Sequence, residues 1–137
     1  MKLSFSTRGW MDMHWEEMLT AAREMGFAGI EMYNVFKTPE LTGKGGPLHK
    51  YSVASTVREL REKQLQTPCF DSSKDITTAE EADLEAIRQE MQLAADLRSP
   101  YVAVWASGEE EEDIQAAEEN LKEGIARMKE FVNGLQQ

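Results

Sequence analysis

Four strand-like stretches of this 137-residue chain each carry one or two side chains able to do chemistry among apolar or small neighbours. Glu31 is set inside Gly29-Ile30-Glu31-Met32-Tyr33. A carboxylate in a buried strand is costly unless something answers it, so Glu31 calls for a partner. Arg8 closes Leu3-Ser4-Phe5-Ser6-Thr7-Arg8 and shares the inward parity of Glu31. The two are expected to form a buried ion pair or to contact a ligand hydroxyl or phosphate. Asp71 follows Thr67-Pro68-Cys69-Phe70, just ahead of Ser72 and Ser73. It can face a ligand at the sheet's carboxyl edge or organise its own turn through the backbone. Lys37, Lys44, His49 and Lys50 form the one basic cluster of an acidic chain, in a Gly-rich stretch without the G-x-x-x-x-G-K-[ST] phosphate pattern. A lid attracting phosphate or carboxylate and a plain polar loop both fit it.

Other chemistries find little support. His14 and His49 are the only histidines, and no H-x-x-x-H spacing occurs. Cys69 is the only cysteine, which rules out an internal disulfide and multi-cysteine zinc binding. Its expected place is as a small core residue. The net charge of −10 opposes nucleic-acid binding, which needs a basic track. Acid concentrates in Glu80-Glu81, Asp83, Glu85 and the Glu109–Asp113 run, which reads as a solvated helix start. Apolar runs are too short to span a membrane, and no secretory signal is expected, since no basic stretch followed by an apolar one opens the sequence. The expectation is a soluble, cytoplasmic single domain over residues 1–137.

The elements that must position these residues alternate. Residues 2–8 read as the first strand, ended by Gly9, and Trp15, Met18, Leu19 and Ala22 place a helix running to Met25. Gly26 closes that helix in the left-handed conformation, with Phe27 folding back over its last turn. The second strand follows directly. From Val35 to Tyr51, Pro39, Gly43, Gly45, Gly46 and Pro47 exclude helix or central strand through most of the segment. Val53, Val57 and Leu60 mark the second helix, and Thr67–Asp71 the third strand. Thr78 with Glu81 forms a capping box for the longest helix, whose inner stripe is Leu84, Ile87, Met91, Ala94 and Leu97 or Arg98. Tyr101-Val102-Ala103-Val104-Trp105-Ala106 is the clearest strand, its unbroken apolar run predicting burial on both faces. The last helix carries Ile114, Ala117, Leu121, Ile125, Met128 and Val132 and exits through Phe131-Val132-Asn133-Gly134, where a fifth strand is due. The joints repeat at Met25–Ile30, Gln64–Cys69 and Asp96–Tyr101. Regular alternation predicts an α/β fold, a (βα)4 unit with parallel strands and right-handed crossovers.

Strand one with Gly9-Trp10, Gly29-Ile30-Glu31-Met32-Tyr33, Thr67–Asp71 and Tyr101–Ala106 together resemble the xylose isomerase-like TIM barrel family of sugar phosphate isomerases and epimerases. The Gly-Phe-x-Gly-Ile-Glu run is the most specific of these motifs. The resemblance covers the first four of eight βα units, the N-terminal half of a barrel that takes about 250 residues. It implies an early-strand pocket wall of Thr7, Arg8, Glu31, Tyr33, Asp71 and Trp105, with Trp105 stacking on a sugar face. With His49 added from the basic loop, the expected substrate-binding set is Arg8, Glu31, Tyr33, His49, Asp71 and Trp105. It implies a divalent metal (Mn, Mg, Zn or Co) only for the complete barrel, because the family's ligands lie on strands five to eight. This chain alone is expected to hold no cofactor and to be inactive. A flavodoxin-like fold needs five strands and its own phosphate loop, and the endonuclease IV branch uses histidines where Tyr33, Asn34 and Asp71 stand. Two function classes follow: the early-strand half of a sugar-binding enzyme, or a non-catalytic, truncated half-barrel that self-associates. In either case an exposed apolar inner face and two open edges predict a homodimer or a complementing half-barrel.

Overall fold

Three helices end in the same turn, and each turn delivers a parallel strand. The computed structural model describes residues 1–10, 13–78, 80–106 and 114–135. Its elements are β1 (Ser4–Ser6), α1 (Trp15–Glu24), β2 (Gly29–Tyr33), α2 (Val53–Glu62), β3 (Cys69–Asp75), α3 (Glu81–Asp96), β4 (Tyr101–Trp105) and α4 (Ile114–Leu135). After α1, α2 and α3, the residues Gly26, Gln64 and Arg98 take φ of +82°, +56° and +61°. The N–H groups of Phe27, Leu65 and Ser99 then donate to Ala22, Leu60 and Ala94 carbonyls at 3.0, 2.8 and 2.8 Å. Those of Gly26, Gln64 and Arg98 donate to Arg23, Arg61 and Ala95 at 3.1, 3.0 and 3.1 Å. This paired closure satisfies carbonyls a helix end leaves orphaned. The repeated joints are therefore one motif used three times, although only one copy has the glycine that announces it.

The four strands form one parallel sheet in the order β1-β2-β3-β4. Ser6 pairs with Glu31, Tyr33 with Asp71, and Asp71 with Ala103. Side chains alternate across the sheet, so Ile30, Met32 and Phe70 share the helix-covered face. All three are fully buried, in a core with Leu19, Ala22 and Leu60 from α1 and α2. A second cluster joins Leu84, Ile87 and Met91 of α3 to Met128 of α4 and to Ile76. Gly124 lets α4 approach closely there, since a Cβ would lie 2.6 Å from Ile76 Cγ1. Among the described residues no helix is long and apolar enough to cross a membrane.

Several expectations change. β1 is only Ser4–Ser6, and Thr7 and Arg8 belong to a 3-10 turn running to Trp10. β3 starts after Pro68 and continues to Asp75, so Asp71 lies inside the strand rather than at its end. Residues 35–51 contain a 3-10 turn, Val35–Lys37, and one helical turn, Pro39–Thr42, with Pro39 at the first position it tolerates. Glu80, not Thr78, takes the N-cap position of α3, and Thr78 ends a 3-10 turn, so the capping-box reading fails. Leu97 rather than Arg98 continues the α3 stripe into the core. The last helix passes through Gly134 to Leu135 instead of turning there. β4 is not buried on both faces: Tyr101 is 71% exposed and Trp105 52%, because β4 is an edge strand and none of the described residues covers its inner side. Glu109–Asp113 and the side chains of Ile114 and Ala117 lie outside the described residues.

Candidate functional site

The sheet face away from the helices carries the polar set. By register and alternation it holds Ser4, Ser6, Glu31, Tyr33, Cys69, Asp71, Tyr101, Ala103 and Trp105. Hence the face is mixed, not apolar as its strands' composition implied.

Three strand ends are tied together there. The Tyr33 N–H donates to Thr7 Oγ1 at 2.9 Å, which fixes the turn after β1 against the end of β2. Thr7 is buried by this contact. The turn carries Arg8 back over the Tyr33 ring, with the guanidinium carbon 5.3 Å from the ring centre. A cation in this position is attracted by the ring's negative face. Arg8 is exposed, and no ion pair with Glu31 forms among the described residues, so the expected buried pair is replaced by a cation on an aromatic face. The strand ends after Ser6 and the backbone turns, which lifts Arg8 out of the sheet plane.

Asp71 lies beside Tyr33 in register and is half-buried. Its Oδ1 accepts the Ser73 N–H at 2.9 Å, and its carbonyl accepts the Asn34 N–H at 2.8 Å. Ser73 takes φ +56°, where the β3–β4 pairing shifts register so that Asp75 rather than Ser73 opposes Trp105. Asp71 thus organises its own turn, and its second oxygen remains on the open face. Burial first, then the negative charges of Glu31 and Asp71, push the Cys69 thiol above its ordinary range. Cys69 therefore stays a neutral thiol rather than a nucleophile. It is half-buried on the inner face rather than in the core.

The structure brings Glu31, Tyr33 and Asp71 onto the adjoining strands β2 and β3, with Arg8 in the turn after β1 over the Tyr33 ring and Trp105 at the outer end of β4. His49 stands apart. Its Nδ1 accepts the Tyr51 N–H at 3.3 Å and its ring packs on Tyr51 at 5.2 Å, just before α2. Lys50 lies over the same ring at 5.0 Å. No three His, Cys, Asp or Glu side chains among the described residues gather as a metal site. One buried carboxylate escaped sequence reasoning: Glu90 is 3% exposed on α3. Its signal was available, since it falls three residues after Ile87 and four before Ala94, on the apolar stripe.

A family model for xylose isomerase-like TIM barrels matches residues 19–134. The chain belongs to the xylose isomerase-like TIM barrel family. Its architecture is half of such a barrel. The whole chain superposes on the crystal structure of the probable 3-DHS dehydratase AsbF, involved in petrobactin synthesis, from Bacillus anthracis. The TM-score is 0.71 at 17% identity, with 100% of this chain and 49% of that one covered. The chain thus spans about half the length of that structure. No curated protein matches it. In TIM barrels the active site lies at the carboxyl ends of the strands, the end at which Tyr33 and Trp105 stand and just beyond which the β1 turn sets Arg8.

Proposed function

We propose that this chain supplies the early-strand wall of a sugar or sugar-phosphate pocket in an isomerase or epimerase of its family. It corresponds to the N-terminal half-barrel, completed by a second copy or by a complementing half, in the cytoplasm. The observation that carries this reading is the sheet face bearing Glu31, Tyr33 and Asp71, left uncovered by the described residues, with Arg8 set over the Tyr33 ring. Arg8 offers fixed positive charge to a phosphate or an oxyanion. The carboxylates of Glu31 and Asp71 accept hydrogen bonds from sugar hydroxyls. Trp105 presents an apolar face to the sugar ring while excluding water. We assign the divalent metal and the proton transfer of a complete barrel to the completing half. This chain's share is binding and orientation.

Tryptophan fluorescence tests the assignment, using Trp105→Phe to isolate the relevant signal. A pentose 5-phosphate and the unphosphorylated pentose are titrated into the assembled particle. Arg8→Ala is expected to weaken the phosphorylated sugar about tenfold and the other by less than about twofold. Absence of binding by both sugars to the completed barrel refutes the reading. A second reading, a non-catalytic half-barrel that self-associates, is favoured by the exposed Tyr101, Val104 and Trp105. It predicts assembly without sugar binding.

A further inference from the structure

Glu90 sits midway along α3, on the side turned to the sheet, and its Oε2 is buried without a hydrogen-bond partner among the described residues. A native fold rarely leaves such an atom unanswered. Beside it lies a cavity of about 110 Å³, bordered also by Asn34, Lys37, Ser72, Lys74 and Gln89. That is room for roughly four waters at ~30 Å³ each, or one small organic molecule. Ser72 is already committed, since its hydroxyl donates to the Ala103 carbonyl at 3.0 Å and accepts the Lys74 N–H at 3.2 Å. The side chains of Asn34, Lys37, Lys74 and Gln89 make no hydrogen bond or ion pair among the described residues. The Glu90 carboxyl, two cations and two amides therefore border a space that the described residues do not fill.

The charges restrict the occupant. A metal cation would face Lys37 and Lys74, and a bare anion would press its charge against Glu90. A molecule with a hydroxyl at one end and a carboxylate at the other suits both ends. We propose that this cavity binds a small hydroxy acid of about glycolate size, its hydroxyl donating to Glu90 and its carboxylate facing Lys37 and Lys74. Burial, then the negative charge of Asp71 through the sheet, raises the Glu90 carboxyl to about 7, and Lys74 opposes the rise. A ligand hydroxyl can donate to either protonation state, because a neutral carboxyl keeps an acceptor oxygen. Ser72 and Glu90 lie on the helix-covered side of the sheet, opposite Asp71, so this site is separate from the sugar pocket and does not need the barrel completed.

Backbone amide shifts of the full chain, followed during titration with glycolate, acetate or inorganic phosphate, provide the test. Glycolate should give saturable shifts at Asn34, Lys37 and Lys74, and acetate, lacking the hydroxyl, should bind about tenfold more weakly. Lys37→Ala, an exposed position, should weaken both acids together. Glu90→Leu should erase the preference for glycolate. If that variant does not fold, the glycolate-to-acetate ratio of the native chain and the Lys37→Ala titration still decide. Equal binding of acetate or phosphate, or no saturable shift at millimolar concentration, overturns the proposal.

Discussion

β2 and β4 are both five-residue parallel strands, yet they meet opposite fates. β2 contains a glutamate, and its Ile30 and Met32 are fully buried. β4 is apolar throughout, and its Tyr101, Val104 and Trp105 are exposed, Val104 at 37%. The difference is one of neighbours, not of composition. β2 lies between β1 and β3 with α1 and α2 packed against it, whereas β4 pairs on one side only. Edge strands that face water usually carry charge or proline to discourage further pairing. β4 has neither, and its apolar side chains are suited to burial that these four strands do not provide. This mismatch supports a covering half-barrel more strongly than any single site residue does.

The sharpest way to break the comparison is to truncate one large aromatic on the covered face of the sheet and one on the exposed β4. Phe70→Ala on the covered face of β3 should cost about 3–5 kcal/mol in denaturant unfolding. Trp105→Ala should cost less than about 0.5 kcal/mol in the isolated chain and substantially more in the assembled particle. Equal losses in both settings would mean that β4 is not waiting for a cover.

The covered side has its own weak point in Glu90. Its carboxyl titrates near 7 in the fold, against 4.5 for the ordinary group, so the folded state holds the proton more tightly. Below the unfolded value both states are protonated and nothing is lost. Stability then falls as pH rises from about 4.5 to 7, by up to about 3 kcal/mol. Glu90→Gln should therefore stabilise the chain at pH 8 and leave it nearly unchanged at pH 4, as thermal unfolding at the two pH values would show.

The smallest expected effect concerns the joints that feed both strands. Arg98 sits ahead of β4 in the left-handed region where Gly26 sits ahead of β2. Arg98→Gly should raise stability by about 0.5–1 kcal/mol, while Gly26→Ala should lower it by about 1 kcal/mol. Chemical denaturation resolves both signs.

These comparisons also mark what could be read in advance. The alternation of helix and strand was legible because the apolar spacing at Trp15–Ala22, Val53–Leu60 and Leu84–Ala94 reports burial by covering elements within the chain. The joint at Gly26 was legible as a turn because glycine is the residue that takes positive φ freely. The matching turns at Gln64 and Arg98 were visible only as a rhythm, since their side chains give no hint of left-handed backbone. Exposure of β4 was illegible in principle: an apolar run states what a strand is suited to, not what lies against it. Arg8 was expected to point inward from β1, but its placement and partner depended on where β1 stopped. A three-residue strand followed by a tight turn brought it to the Tyr33 ring instead of Glu31. Asp71 presented two open readings, and the Ser73 N–H carries the turn-forming one through Oδ1 without using the second oxygen.

The central claim is that the inner face and the β4 edge are covered by a second half. The most direct test is the mass of the folded particle, by size-exclusion chromatography with light scattering. With a chain mass of 15.5 kDa, two half-barrels closing on each other give a particle of about twice that value. The account predicts that dimer for the chain alone, or a one-to-one complex when a complementing half is added. A stable monomer that stays soluble with Tyr101 and Trp105 open to water, and takes up no complementing half, would contradict it.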